Sequence, residues 1–166
     1  MYMYIMNDVT GPAADSYQSL IRIEHHVVMR DIDGAGVIYF ASPYAWQEAA
    51  YMAWLSSIDR PISRLIRENH LTPAVHSSAT YHAPVHVDDV LELELRTAEI
   101  GRTSFTLECA ARRLPARDLR VTVRVVYAFV QTSDGRELEA QPLPDWLRTA
   151  LEGSSAEQLA RSGSKS

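Results

Sequence analysis

Asp31 and Asp33 are the first residues whose types and spacing suggest chemistry. They close an alternating apolar run and are followed by Gly34, Gly36 and the stretch Val37-Ile38-Tyr39-Phe40. Glycine adopts backbone angles that other residues avoid, so a tight turn is expected there. A helix rich in alanine and aromatics then begins. A carboxylate on a short loop aimed at a helix start can act as a base or a nucleophile. The unpaired N–H groups of the first helical turn can hold developing negative charge. The same residues would equally make an acidic turn with a helix cap.

Other chemistries find less support. No Gly-x-Ser-x-Gly elbow is present, which disfavours a serine hydrolase. No His-x-x-x-His pair lies on a helical pattern, which disfavours a zinc hydrolase. His25 and His26 are adjacent, so on a strand they point to opposite faces and cannot chelate one metal. His76, His82 and His86 share parity, but Pro84 and the spacing argue against a metal site. No metal or cofactor is implied.

These residues must be positioned by a fold of modest size. A chain of 166 residues suits one domain with an adequate core. Apolar residues make up 46% and charged residues 22%, as in ordinary globular proteins. A formal net charge of -5 argues against a nucleic-acid partner. The single cysteine, Cys109, cannot form an internal disulfide, and no apolar run approaches a membrane span, so a cytoplasmic location is expected.

Residues 1–19 read as a poorly specified arm, residues 20–151 as the domain, and residues 152–166 as a disordered tail rich in Ser, Gly and charge. Leu20 to Arg30 alternates, with Ile21, Ile23, His25, Val27 and Met29 on one face. Ser42-Pro43 reads as a helix entry, with Ser as cap and Pro at the first helical position. That helix extends to about Ser56 and buries Trp46, Met52, Trp54 and Leu55. A shorter helical segment follows Pro61. Four strand-like runs come next: Ala74 to Ala83, Asp89 to Ile100, Thr103 to Arg113 and Leu119 to Gln131. Their inward sets are Leu91, Leu93 and Leu95; Phe105, Leu107, Cys109 and Ala111; and Val121, Val123, Val125, Tyr127 and Phe129. A last short helix spans Pro144 to Leu151. Strand, long helix and antiparallel meander make an α+β pattern.

Asp31-Ile32-Asp33 followed by Gly36-Val37-Ile38-Tyr39 resembles the acyl-CoA thioesterases of the hotdog fold, of the 4-hydroxybenzoyl-CoA thioesterase type. Tyr81-His82-Ala83-Pro84, Asp88-Asp89-Val90-Leu91 and Gly101-Arg102-Thr103-Ser104 extend the likeness, in order, over roughly Ile21 to Phe129. The resemblance implies a curved antiparallel sheet wrapped around one long helix. It also implies Asp33 as the catalytic carboxylate, either attacking the thioester or activating water, with Asp31 orienting the loop. Phe40 falls where the family presents a backbone N–H to the thioester oxygen. Glu48 matches a carboxylate that can bond a ring hydroxyl of the substrate. Pro43 departs from the family, where an aromatic residue is common.

Tyr39-Phe40-Ala41 and Val75-His76-Ser77 lean toward the branch that hydrolyses 1,4-dihydroxy-2-naphthoyl-CoA. Tyr39, Trp46, His76 and Tyr81 are the implied substrate contacts, and Arg102 and Ser104 the CoA contacts. Arg112, Arg113 and Arg117 form a further basic group. A homodimer or homotetramer, with active sites at the interface, is implied. Two alternatives stay open: a biosynthetic thioesterase that unloads an acyl carrier protein, and a non-catalytic acyl-CoA-binding module.

Overall fold

The structure is a computed structural model that describes residues 18–132 and 138–153. The expected N-terminal arm up to residue 17 and the expected tail from residue 154 lie outside the described residues. β1 (Ser19–His26) leads through a 3₁₀ turn (Met29–Asp31) and a loop to α1 (Ser42–Ser57) and α2 (Ile62–Arg67). β2 (His70–Leu71), β3 (Ala74–Tyr81), β4 (Val90–Ile100), β5 (Ser104–Arg113) and β6 (Asp118–Ala128) follow. The described chain closes with β7 (Val130–Thr132), β8 (Leu138–Ala140) and α3 (Asp145–Leu151).

Five antiparallel strands form the main sheet in the order β1-β4-β5-β6-β3, and β2-β7-β8 form a small second sheet. Alternation decides which face of the main sheet is buried. Leu91, Leu93, Leu95, Phe105, Leu107, Val121, Val123 and Val125 all point to one side, each at most 4% exposed. They pack with Ala50, Trp54 and Leu55 of α1 in one core. The architecture is the hotdog arrangement, a curved sheet around one long helix. No described helix is long and apolar enough to cross a membrane.

Several expected boundaries and faces shift. β1 ends at His26, so Met29 leaves the buried row and is 75% exposed. α1 begins at Ser42 with Ala41 as its cap, which makes Ser42 the first helical residue and no side-chain cap. Met52, expected in the core, is exposed, because the apolar residues of α1 surround the helix and the sheet covers only part of it. The last long strand is interrupted at Phe129, after which the chain crosses to the second sheet. Arg120, on the outer face, is nevertheless buried, held by Asp118 and by the Pro84 carbonyl.

Candidate active site

The loop between β1 and α1 is tied at both ends. Ile32 and Ile38 form an isolated antiparallel bridge, and Ile38 N–H reaches the Val85 carbonyl at 3.0 Å. Between them Asp33 N–H donates to the Val37 carbonyl at 2.9 Å, and Gly36 N–H to the Asp33 carbonyl at 3.0 Å. Gly36 sits at φ 76°, in the left-handed region where a side chain is strained. The Asp33 carboxylate stands on this turn, exposed, with one oxygen accepting the Ala35 N–H at 2.7 Å.

Asp31 is buried beneath the turn. One carboxylate oxygen accepts from Val28 N–H at 2.9 Å and lies 3.1 Å from His25 Nε2; the other takes the Trp46 indole N–H at 3.3 Å. Burial resists the charge, but the bonds from Val28, His25 and Trp46 together outweigh it and hold Asp31 below the usual carboxylate range. Its main-chain carbonyl accepts Tyr39 N–H at 2.7 Å and the Ser42 hydroxyl at 3.1 Å. One residue therefore clamps the end of β1, the exit of the turn and the start of α1. Ser42→Ala should cost about 1 kcal/mol, read from the denaturation midpoint, because its hydroxyl supplies one of these bonds.

Two residues along from this clamp, Ser42 N–H donates to the Tyr39 carbonyl at 2.9 Å. A trans peptide points its N–H opposite to its C=O, so the Phe40 N–H is turned away from the helix. Among the described residues none accepts a hydrogen bond from it. The Phe40 carbonyl is held in turn by the Tyr81 hydroxyl. Phe40 and Tyr81 line a groove of about 250 Å³ with Val37, Ile38, Ala83 and Pro84. Tyr39 meets the Phe40 ring edge-on, with centroids 4.7 Å apart. The tertiary structure thus brings together Tyr39, Phe40 and Tyr81, with Asp33 bonded to the neighbouring Val37.

A larger cavity of about 480 Å³ is walled by Tyr44, Gln47, Glu48, Tyr51, Val125 and Tyr127 among others. Tyr51 and Tyr127 stack at 4.6 Å between centroids. Burial pushes the Tyr127 phenol up to about 12, against the pull of its bond to Gln47, so it stays a neutral donor. Glu48 is exposed on the rim and has no ion-pair partner among the described residues. Gln47 was not foreseen. A polar residue on the stripe Gln47, Ala50, Tyr51 and Trp54, otherwise apolar and buried, was the available signal.

Other expected contacts fall elsewhere. Trp46 is 3% exposed and packs in the core against His25, and it lines neither of the two cavities described above. His76 pairs with Val126 on the face of the sheet opposite the helix, because its neighbours Ser77 and Ala79 pair with the inward Val125 and Val123. Arg102 and Ser104 lie at the β4–β5 hairpin, whereas the Asp33 loop adjoins the Val90 end of β4. At roughly 3.3 Å per residue the strand separates them by about 30 Å. Arg117 pairs with Glu92, and Arg113 with Asp118.

A family model described as the thioesterase superfamily matches residues 35–127, more than half of the chain. The chain belongs to the thioesterase superfamily. Its relatives within that superfamily include a 1,4-dihydroxy-2-naphthoyl-CoA hydrolase from Synechocystis, 26% identical over 77% of this chain and 91% of the relative. A 4-hydroxybenzoyl-CoA thioesterase from Pseudomonas is 27% identical over 75% of this chain and 92% of the relative. Among solved structures, a 1,4-dihydroxy-2-naphthoyl-CoA thioesterase from Synechocystis superposes with a TM-score of 0.70 at 27% identity, covering 78% of this chain and 93% of the other. This thioesterase is accordingly a thioester hydrolase of the hotdog fold.

Proposed function

We propose that this thioesterase hydrolyses an aromatic acyl-CoA of the 1,4-dihydroxy-2-naphthoyl or hydroxybenzoyl type to the free acid and CoA. The observation that carries the reading is the Phe40 N–H, unpaired among the described residues and fixed at the entrance to α1 by the same loop that presents Asp33. The aromatic walls of the cavity beside Glu48 and the named relatives support the substrate class.

In the reaction, Asp33 either takes a proton from water as that water adds to the thioester carbon, or adds to the carbon itself. In the second case the resulting anhydride is then hydrolysed. Either way the carbonyl oxygen becomes negative and is stabilised by the Phe40 N–H. Collapse expels the CoA sulfur, which leaves as a thiolate and is protonated.

Asp33 and Phe40 are both exposed in a single chain, and β3 is an edge strand with Val75 60% exposed. The reading therefore includes a symmetric dimer, with two dimers forming a tetramer, that encloses the site. Arg102 and Ser104 would hold the phosphates of a CoA bound at a neighbouring subunit's site. A cytoplasmic location, with buried Cys109 as a thiol, belongs to the same reading.

Thiol release from a panel of aromatic and aliphatic acyl-CoAs tests the assignment; a clear preference for aliphatic chains would overturn it. Glu48→Gln should reduce kcat/KM for hydroxylated aryl substrates about tenfold relative to unsubstituted ones. Equal losses on both would remove the ring-hydroxyl role of Glu48.

A further inference from the structure

We infer that Gln47 sets specificity in the larger cavity, donating a hydrogen bond from Nε2 to an oxygen substituent on the ring of a hydroxylated aromatic acyl group. This deepens the aromatic acyl-CoA reading and rests on it. At about 480 Å³ the cavity falls within the usual range for small-molecule sites, about 300–1,000 Å³. Its buried polar groups are otherwise satisfied in pairs. The Tyr51 hydroxyl bonds Thr72 Oγ1 at 2.8 Å, and the Tyr127 hydroxyl donates to Gln47 Oε1 at 2.9 Å.

Gln47 Nε2 is the exception: the residue is 2% exposed, yet this nitrogen has no hydrogen-bond partner among the described residues. Buried amide donors are nearly always paired, and an apolar side chain would fill the same place on α1 without leaving an orphaned group. The amide is held from behind by Tyr127, whose hydroxyl donates to Oε1, so the unpaired end is the N–H₂. The last torsion of a glutamine is soft, so a small rotation can offer Nε2 to a ligand in the cavity while Oε1 keeps its bond from Tyr127.

The rest of the wall specifies the ligand. Tyr44, Tyr51 and Tyr127 suit a flat aromatic ring, and Glu48, one residue on, brings an acceptor to the same cavity. A hydroxyl can accept from the Gln47 amide and still offer its own proton to an acceptor such as a carboxylate. An unsubstituted ring or an alkyl chain leaves Nε2 unpaired.

The test compares paired ligands in the full-length protein and in two variants. Gln47→Leu removes the amide; Gln47→Leu combined with Tyr127→Phe also removes the hydroxyl it would orphan, so that one variant keeps a satisfied core. Binding is measured with 1,4-dihydroxy-2-naphthoate against 2-naphthoate, and turnover with 4-hydroxybenzoyl-CoA against benzoyl-CoA. The wild type should favour the hydroxylated member in binding, and the ratio should fall about tenfold to a hundredfold in both variants. A wild type with no such preference, an unchanged ratio in the folded variants, or equal losses on both members of each pair would overturn the assignment. If no aryl-CoA is turned over while the hydroxyl preference persists and depends on Gln47, the catalytic reading fails and the Gln47 assignment stands.

Discussion

Asp33→Asn should lower the rate of thiol release by about 10²- to 10⁴-fold, the usual contribution of a carboxylate acting as base, and more if it is the nucleophile. Stability should be almost untouched. Asp33 is exposed, and the contact from its carboxylate is to the Ala35 N–H, which the amide oxygen of asparagine can also accept. Activity and folding therefore separate at this position. A variant that keeps most of its rate, with an unchanged denaturation midpoint, would remove Asp33 from the chemistry and leave it as a turn residue.

Asp31→Ala is expected to do the reverse, costing about 2–4 kcal/mol of stability, because it leaves buried hydrogen-bond donors without their acceptor. The substitution strips the partner from Val28 N–H, from the Trp46 indole and from His25 at once. Activity of the surviving folded fraction should fall as well, because the clamp sets the distance between Asp33 and Phe40. The carboxyl is held below its unfolded value of about 3.9. Its stabilising contribution is thus full above that value and is lost as pH falls through the lower folded one. In acid denaturation the variant should show a flatter limb below about pH 4 than the wild type. Parallel acid limbs, or a loss under about 1 kcal/mol, would mean that the carboxylate bears little of the loop's stability.

Asp31 also shows how far the chain could be read before its structure. The resemblance carried by Asp31-Ile32-Asp33 and Gly36 implied an orienting Asp31 and a reactive Asp33; the structure buries Asp31 and exposes Asp33, and the reactivity of Asp33 is part of the proposal. What the pattern could not supply was the orienting partners. His25 and Trp46 lie 6 and 15 residues away along the chain and meet Asp31 only through folding. Ser42 was read as a local cap for the same reason, since its distant partner, the Asp31 carbonyl, is invisible to local pattern.

The sheet was determined almost entirely by the sequence. Successive side chains of a strand must point to opposite sides, so the inward sets of β4, β5 and β6 followed from alternation alone and are buried, while the burial of Glu94, Thr106 and Arg120 on the other face did not follow from it. α1 had no such rule, because its apolar residues surround the helix; only packing chose the face that holds Gln47, Ala50, Tyr51 and Trp54 and left Met52 outside. The tertiary structure also decided that Trp46 serves the core and that His76 faces away from the helix. It set Arg102 and Ser104 at the far end of the strand from Asp33 as well. Local periodicity fixes direction within an element, whereas these distances depend on the register between elements far apart in the chain.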